Sequence, residues 1–417
     1  MRDNPLRQVT TQRVNGTNAT SVRLALLFAI SAALLLAAAP SANAGTPLKN
    51  GAWIATARVL VAGNPAAEDG SLSQHPKPPL ETVSPYWGNY AAIGLASTQG
   101  AGKVLLAEEW LEWYRGKVKS SGVMSKYELD PQGTDPESYT ATAIDDEYDV
   151  NTDSPAAYAA THLLAMWEYR EAVGKKKIKK HKKQIRSSAL LLVRQIDAIG
   201  AGGDGLVWSH PPDPVDPSAP TGKMKTIITQ AESYAALRAA TILLTDVDYG
   251  TASGLAAAGA DEIKIGVESL WLPGVGAYAT LKDEDHNLHV TDWSTWYADA
   301  LGQAWVVAIG NGLNPGADLI DPSIHPTRAA DLMNTLTSTW PEWNRPGFKP
   351  SFGRTAGTSS GLIGYQPMVG VALTEVGLTS QATAGVTNIN DYALAKARKW
   401  PFTVGNAGQI LLTLPGE

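Results

Sequence analysis

A tyrosine-centred motif recurs five times along this 417-residue chain, and it restricts the possible folds more than any other feature. Asn89-Tyr90-Ala91-Ala92 opens NYAAIGLA, Ala157-Tyr158-Ala159-Ala160 opens AYAATHLL, and Ser233-Tyr234-Ala235-Ala236 opens SYAALRAA. Looser copies begin at Trp296-Tyr297-Ala298-Asp299-Ala300 and at Gly364-Tyr365. The tyrosines are spaced by 68, 76, 63 and 68 residues. Each copy carries small or apolar residues on nearly every face, so each predicts a helix that is buried all round. Such a helix has to be covered by its neighbours on every side, which makes the repeat a packing rule.

Between the copies lie segments of different character. LLAEEWLEWYRGKVK (105–119) places Leu106, Trp110, Trp113 and Val118 on one side and Glu108, Glu112, Arg115 and Lys119 elsewhere. Residues 181–200, 252–271, 328–340 and 391–400 read as further amphipathic helices. A buried inner helix followed by an amphipathic outer one, repeated five or six times, predicts an all-α toroid of helical hairpins. PFTVGNAGQILLTL (401–414) is the candidate sixth inner helix, closing the ring against the first. Its outer partner would precede Tyr86, although residues 50–62 read as extended. Short strand-like pieces, Gly205 to Trp208 and Ala277 to Thr280, follow Gly-rich turns where one hairpin hands over to the next. An open solenoid of tetratricopeptide type has units of about 34 residues and short loops. The unit here is roughly twice as long, which favours the closed toroid.

Composition limits the chemistry. There is no cysteine, which removes disulfides, thiolate metal sites and a cysteine nucleophile together. The 34 Lys and Arg stand against 40 Asp and Glu, a formal charge of -6, so no nucleic-acid partner is expected. Phosphate-loop and H-E-x-x-H zincin motifs are missing, and neither a cofactor nor a metal is called for. The 13 Trp and 14 Tyr outnumber the 4 Phe, a skew towards side chains with a flat apolar face and a polar edge. Sugar rings suit such surfaces. At the N-terminus, residues 24–39 form an apolar run after Arg2, Arg7, Arg13 and Arg23, and Ser41-Ala42-Asn43-Ala44 supplies small residues for cleavage after Ala44. The expectation is a signal peptide over 1–44 and a single toroid domain over 45–417, secreted or periplasmic in a bacterium, with no membrane association once the leader is removed. The alternative, a transmembrane anchor, wants about 20 apolar residues.

With its hairpins laid out this way, the chain resembles the six-hairpin glycosidase superfamily. The resemblance is carried by YWGNYAAIGLA, DSPAAYAATHLLAMWEY, DGLVW, AESYAALRAATILL and DWSTWYADALGQAW, and it spans most of residues 84–414. It implies an (α/α)6 toroid whose inner-helix N-termini and preceding loops line a glycan cleft. It singles out no catalytic pair.

Acidic and aromatic residues crowd those inner-helix starts. Asp153, two residues before Pro155, is a candidate carboxylate and equally a helix cap. Glu232, two residues before Tyr234, is a candidate acid or a first-turn glutamate favoured by the helix dipole. Asp292, flanked by Trp293, Trp296 and Tyr297, is the densest candidate, with a turn or cap as its plain explanation. Asp299, two helical turns further, reads as a hydrogen-bonded structural carboxylate. Glycoside hydrolysis needs two carboxyl groups, and burial against aromatic faces raises an acid's pKa into a useful range. Tyr86, Trp87, Trp208, Tyr234, Trp293 and Trp296 are the candidate surfaces for sugar rings. Trp110, Trp113, Trp167 and His162 read as core. His286 and His289 beside Asp283, Glu284 and Asp285 read as a solvated loop. GKKKIKKHKKQIR (174–186), with seven lysines and one arginine, is a solvated turn or a docking surface for an anionic polymer. The functional expectation is an exported glycoside hydrolase acting on a carbohydrate. The alternatives are a polysaccharide lyase, with Tyr234, Tyr297 and Arg238 as its reagents, and a non-catalytic glycan binder.

Overall fold

Inner helices run from the capped loops of one end of a ring, and outer helices return along its outside. The computed structural model describes residues 49–55, 58–61, 64–72, 82–131, 139–143, 154–209, 224–345, 365–395 and 403–417. Among these, six helices form the inner layer: α2 (Pro85–Ser97), α4 (Pro155–Val173), α6 (Ile227–Asp246), α8 (Asp299–Val307), α10 (Gln366–Glu375) and α12 (Val404–Thr413). The outer layer is α1 (Asn50–Ala55), α3 (Ala101–Arg115), α5 (Lys182–Gln195), α7 (Gly250–Ser269), α9 (Arg328–Thr339) and α11 (Thr379–Ala395). Each inner helix packs on the next, and α12 packs on α2, so the inner ring is closed.

Local chemistry sets the helix starts. Pro85 and Pro155 occupy the first turn of α2 and α4, where the missing N–H costs nothing. Ser154 accepts from the Ala157 amide at 3.2 Å, Thr226 from Thr229 at 3.2 Å, and Thr403 with Asn406 makes a reciprocal capping box. The two layers then differ in burial as the repeat requires. Tyr90 to Ala96 of α2 are buried without interruption, and so are Gln230 to Leu237 of α6. On α5 burial falls on Ile185, Ser188, Ala189 and Leu192, one face of the helix.

Ring closure depends on two glycines. A Cβ on Gly94 would lie 2.1 Å from the carbonyl oxygen of Gly408, and one on Gly408 would lie 2.2 Å from that of Tyr90. Backbones of α2 and α12 therefore touch, a distance only glycine allows. The sixth outer position is filled by α1, which packs on α12. Residues 50–55 are thus helical where an extended segment was expected, and 58–61 are a strand. Lys49 donates to the Gly416 carbonyl at 2.8 Å and Asn50 to Asn390 at 2.8 Å, tying the start of α1 to the segment after α12 and to α11. The fifth outer helix also starts earlier than its pattern, at Thr379.

Short strands lie just before inner helices: Thr82–Val83 before α2, Met224–Thr226 before α6, and Leu281–Asp283 with Leu288–His289 before α8. The last three segments form one antiparallel sheet, in register Met224 with Asp283 and Leu288 with Lys282. Buried glutamines hold the hand-over segments to the inner layer. Gln230 accepts from the Val207 amide (2.7 Å) and donates to its carbonyl (2.8 Å). Gln303 makes the same pair with Tyr278 at 2.9 and 3.0 Å, and Gln366 donates to the Trp343 carbonyl. Val207 bridges Ile196 and Tyr278 pairs with Trp271, and each glutamine amide satisfies backbone groups of its segment that this pairing leaves over. No helix among the described residues is long and apolar enough to cross a membrane.

Candidate functional site

Glu232 lies on α6, with its side chain fully buried. One carboxylate oxygen, Oε1, accepts three hydrogen bonds: from Tyr86 Oη at 2.8 Å, Tyr90 Oη at 2.8 Å and Trp305 Nε1 at 3.1 Å. Tyr86 and Tyr90 are four residues apart and share a face of α2, while Trp305 comes from α8. Helix α4 separates α2 from α6 in the ring, so contacts between those two cross its interior. The carboxyl group therefore sits at the axis, at the end where the inner helices begin.

An aromatic wall adjoins it. Tyr365, immediately before α10, stacks on Trp87 (ring centroids 5.1 Å, 24° between planes) and on Tyr297 (5.7 Å, 11°). It also meets Trp305 edge-on at 5.3 Å and Tyr86 at 6.4 Å. Tyr90 and Trp305 are fully buried, whereas Tyr86, Trp87, Tyr297 and Tyr365 keep partial exposure. The wall thus has a dry floor around Glu232 and a wetted rim above it.

Burial pushes the Glu232 carboxyl up to about 7, against the three hydrogen bonds that pull it down. The same burial, with the Glu232 charge beside them, holds Tyr86 and Tyr90 well above the usual phenol range, so both remain donors. Three donors saturate Oε1, and the proton of the neutral acid belongs on Oε2. Oε2 is buried and has no hydrogen-bond partner among the described residues. The arrangement is a carboxyl group that is half protonated near neutral pH and presents its proton on an unengaged oxygen.

The remaining sequence candidates are placed differently. Asp153 falls outside the described residues. Asp292 is exposed in a loop, where its Oδ1 accepts from the Ser294 amide at 2.9 Å and hydroxyl at 2.7 Å and its Oδ2 from Thr295 at 3.2 Å. Its own amide donates to Asp299 at 2.9 Å, and Thr280 donates to the same Asp299 oxygen at 3.0 Å. Asp299 is thus the loop's tether. Tyr297 carries this loop to the aromatic wall. Trp87 lies in the wall. Trp293 is half-buried, with Trp340 donating to its carbonyl at 2.8 Å. Trp296 is fully buried, edge-on to Trp340 at 5.6 Å. Trp208 lies under the buried Lys225 ammonium, 4.0 Å from its ring centroid. Tyr234 is fully buried and donates to the Ala317 carbonyl at 2.6 Å. Trp296 and Tyr234 are therefore packing residues, because neither exposes a ring face. Two residues along a helix turn the side chain by about 200°, so Tyr234 points away from the axis that Glu232 faces.

Sequence reasoning did not single out Tyr90 or Trp305 as partners of the carboxyl group. The available signal was the pair Tyr86 and Tyr90 at helical spacing, which puts two phenols on one face. His162 is buried as expected, with Nδ1 3.2 Å from Ser188 Oγ, and burial depresses it to about 3. Among the described residues no three His, Asp or Glu side chains are grouped to hold a metal ion.

No family model matches the chain, and a search of curated proteins finds no similar sequence. Solved structures do match in shape. A GH63 mannosylglycerate hydrolase from Thermus thermophilus, in complex with Tris, superposes with a TM-score of 0.50 at 15% identity over 83% of this chain and 95% of that one. A β-1,3-1,4-glucanase from Paenibacillus sp. X4 superposes with a TM-score of 0.50 at 11% identity, over 90% and 94%. A GH78 family rhamnosidase of Bacillus sp. GL1 is matched over 57% of this chain and only 21% of its own length, with a TM-score of 0.36. At these identities the likeness concerns the fold. The chain is an all-α toroid of the (α/α)6 type, a fold it shares with these two solved structures.

Proposed function

We propose that this protein is a carbohydrate-active enzyme, a glycoside hydrolase whose proton donor is Glu232. The observation that carries the reading is the Glu232 carboxyl group itself: buried at the axis, raised to about 7, held on one oxygen by three donors and unengaged on the other. A general acid for glycoside cleavage needs a carboxyl group that keeps its proton near working pH and aims it at the leaving oxygen. The partially exposed faces of Tyr86, Trp87, Tyr297 and Tyr365 suit the apolar faces of a sugar ring. Similarity in shape to a mannosylglycerate hydrolase and a glucanase supports the substrate class.

For the second carboxylate we assign Asp292. It is open to solvent, and its loop reaches the aromatic wall through Tyr297. We also propose that the chain is exported after cleavage at Ala44, which N-terminal sequencing of the secreted product tests.

The function is tested with the purified protein on neutral and uronic-acid polysaccharides and oligosaccharides, following reducing ends and ultraviolet absorbance together. New reducing ends without absorbance, lost in Glu232→Gln with binding retained, support the hydrolase. An unsaturated, absorbing product overturns it in favour of a lyase. Full turnover by Glu232→Gln removes Glu232 from the chemistry, and full turnover by Asp292→Asn leaves that residue a turn former.

A further inference from the structure

A second built feature lies in the outer layer, away from Glu232. A cavity of about 390 Å³ is lined by Lys119, Ser120, Lys183, Gln184, Arg186, Ser187 and Tyr249, with Val118 as its apolar edge. No carboxylate lines it. Lys183, Arg186 and Ser187 share the solvent side of α5, because Ile185, Ser188, Ala189 and Leu192 take the buried side. Lys119 and Ser120 come from the loop after α3, and Tyr249 from the turn before α7.

The loop is fixed against α5 by several contacts. Gln184 donates to the Arg115 carbonyl at 2.6 Å, and Arg194 to that of Ser121. The Lys119 amide donates to the Val123 carbonyl at 3.0 Å, and a Cβ on Gly122 would lie 2.3 Å from the Ser187 carbonyl oxygen. The Arg186 guanidinium lies over the Tyr249 ring, 5.6 Å from its centroid. Among the described residues none of Lys119, Lys183 and Arg186 has a carboxylate in salt-bridge range, although Lys179 and Lys180 nearby are paired with Asp248 and with Glu108 and Glu112. Exposed Lys175, Lys176, Lys177 and Lys182 extend the same positive field along the turn. In a chain of net charge -6, three unneutralised cations converging on one preformed cavity form a local recognition feature.

We propose that this cavity is a second, non-catalytic binding site for an anionic polysaccharide. Its cations and hydroxyls receive a carboxylate or sulfate group of the polymer. The volume falls within the range of about 300–1,000 Å³ usual for small-molecule sites, enough for one charged sugar unit. A flat cationic patch would serve any polyanion, whereas this site offers a cavity with a ring wall and three neutral polar side chains. The inference does not depend on Glu232.

The test is binding of the full-length protein to dextran sulfate, polygalacturonate and neutral dextran at about 0.15 M salt, where diffuse surface attraction is screened beyond roughly 8 Å. Binding to one or both charged polymers and not to neutral dextran is expected, and which polymer binds identifies sulfate or carboxylate. Lys183→Glu with Arg186→Glu should weaken binding by roughly tenfold or more, as two charge-assisted contacts are lost. Lys175→Glu with Lys176→Glu makes the same charge change outside the cavity and should leave binding within about threefold. Should the charge reversal prevent folding, Lys183→Gln with Arg186→Gln reads the same contacts. Glu232→Gln should bind like the unmodified protein, which separates this site from the proposed catalytic one. The inference is overturned if neither charged polymer binds, if the Lys175 and Lys176 pair weakens binding as much as the cavity pair, or if double-stranded DNA binds as tightly as the polysaccharides.

Discussion

Replacing Glu232 by Gln should change how stability depends on pH, by an amount the structure fixes. The group sits near 7 in the folded protein against an ordinary value of 4.5. Between those limits the folded state keeps a proton that the unfolded state releases. Stability therefore falls as pH rises through that window, and the contribution present below pH 4.5 is lost by the time pH passes 7. A difference of about 2.5 units at about 1.4 kcal/mol each corresponds to roughly 3 kcal/mol. Gln is the neutral isostere: its oxygen accepts the same three hydrogen bonds, and its NH₂ stands where the protonated Oε2 stood. The stability of the variant relative to the original protein should rise steadily with pH, by about 3 kcal/mol between pH 4.5 and 8, whatever constant offset its unpartnered NH₂ adds. Every other titrating group cancels in the difference between the two proteins. Urea unfolding curves at half-unit steps from pH 4.5 to 8 measure it. Two parallel stability profiles would refute the reasoning, because they would mean that Glu232 has the same proton affinity folded and unfolded.

Other consequences can be checked in the same way. Tyr90→Phe removes one of three donors that favour the charged form, so the Glu232 midpoint should rise by about one unit and the sloping region should extend towards pH 8; carboxyl infrared titration reads the shift. Gly94→Ala drives a methyl group to 2.1 Å from a backbone oxygen, so α2 and α12 must separate at a cost of about 1–3 kcal/mol or more, seen as a lower melting temperature. Gly116→Ala is the control: a Cβ there meets nothing within 4 Å and the backbone is already right-handed, so the melting temperature should hold or rise. Lys225→Met removes the buried ammonium 2.6 and 2.7 Å from Asp197 and Asp204, of which Asp204 keeps Lys282 at 2.8 Å, and should destabilise by roughly 1–3 kcal/mol, whereas Lys182→Met at the exposed start of α5 should be neutral.

The toroid was legible because burial all round and burial on one side leave different patterns in a sequence. Ala-rich copies such as SYAALRAA offer solvent almost no polar face, and a helix flanked by charged ones has to be inner. Ring closure was readable from PFTVGNAGQILLTL, though the reason it succeeds, the contact of Gly94 with Gly408, depends on two residues of no local distinction. The outer helix α1 was not legible, since six residues are too few to show a helical period. At the site the sequence named Glu232 and missed two of its three donors. Trp305 lies 73 positions from Glu232 and Tyr90 lies 142, and nothing local to either residue records a partner at that distance. Rotation about each helix axis was hidden as well. Equivalent tyrosines of the repeat face differently, Tyr90 towards Glu232 and Tyr234 towards Ala317, so a repeated sequence does not mean a repeated role.

That rotation, together with one boundary, explains why the helix dipole does not govern Glu232. Read locally, the glutamate opens the helix that SYAALRAA continues, and the dipole would then stabilise its charge. In the structure α6 begins five residues earlier, at Ile227 behind the Thr226 cap, so Glu232 stands about one and a half turns inside. The dipole's influence fades within the first turn. Desolvation is what remains, and it acts in the opposite direction. The same glutamate in the first turn, facing solvent, would be an ordinary ionised cap. Carried inward by IITQA and rotated to the axis, it loses its water to Tyr90 and Trp305 and keeps its proton near neutral pH. The segment from Ile227 to Ala231 therefore matters to the site although none of its side chains hydrogen-bonds the carboxyl oxygens: it sets how deep the acid lies, and depth sets its pKa.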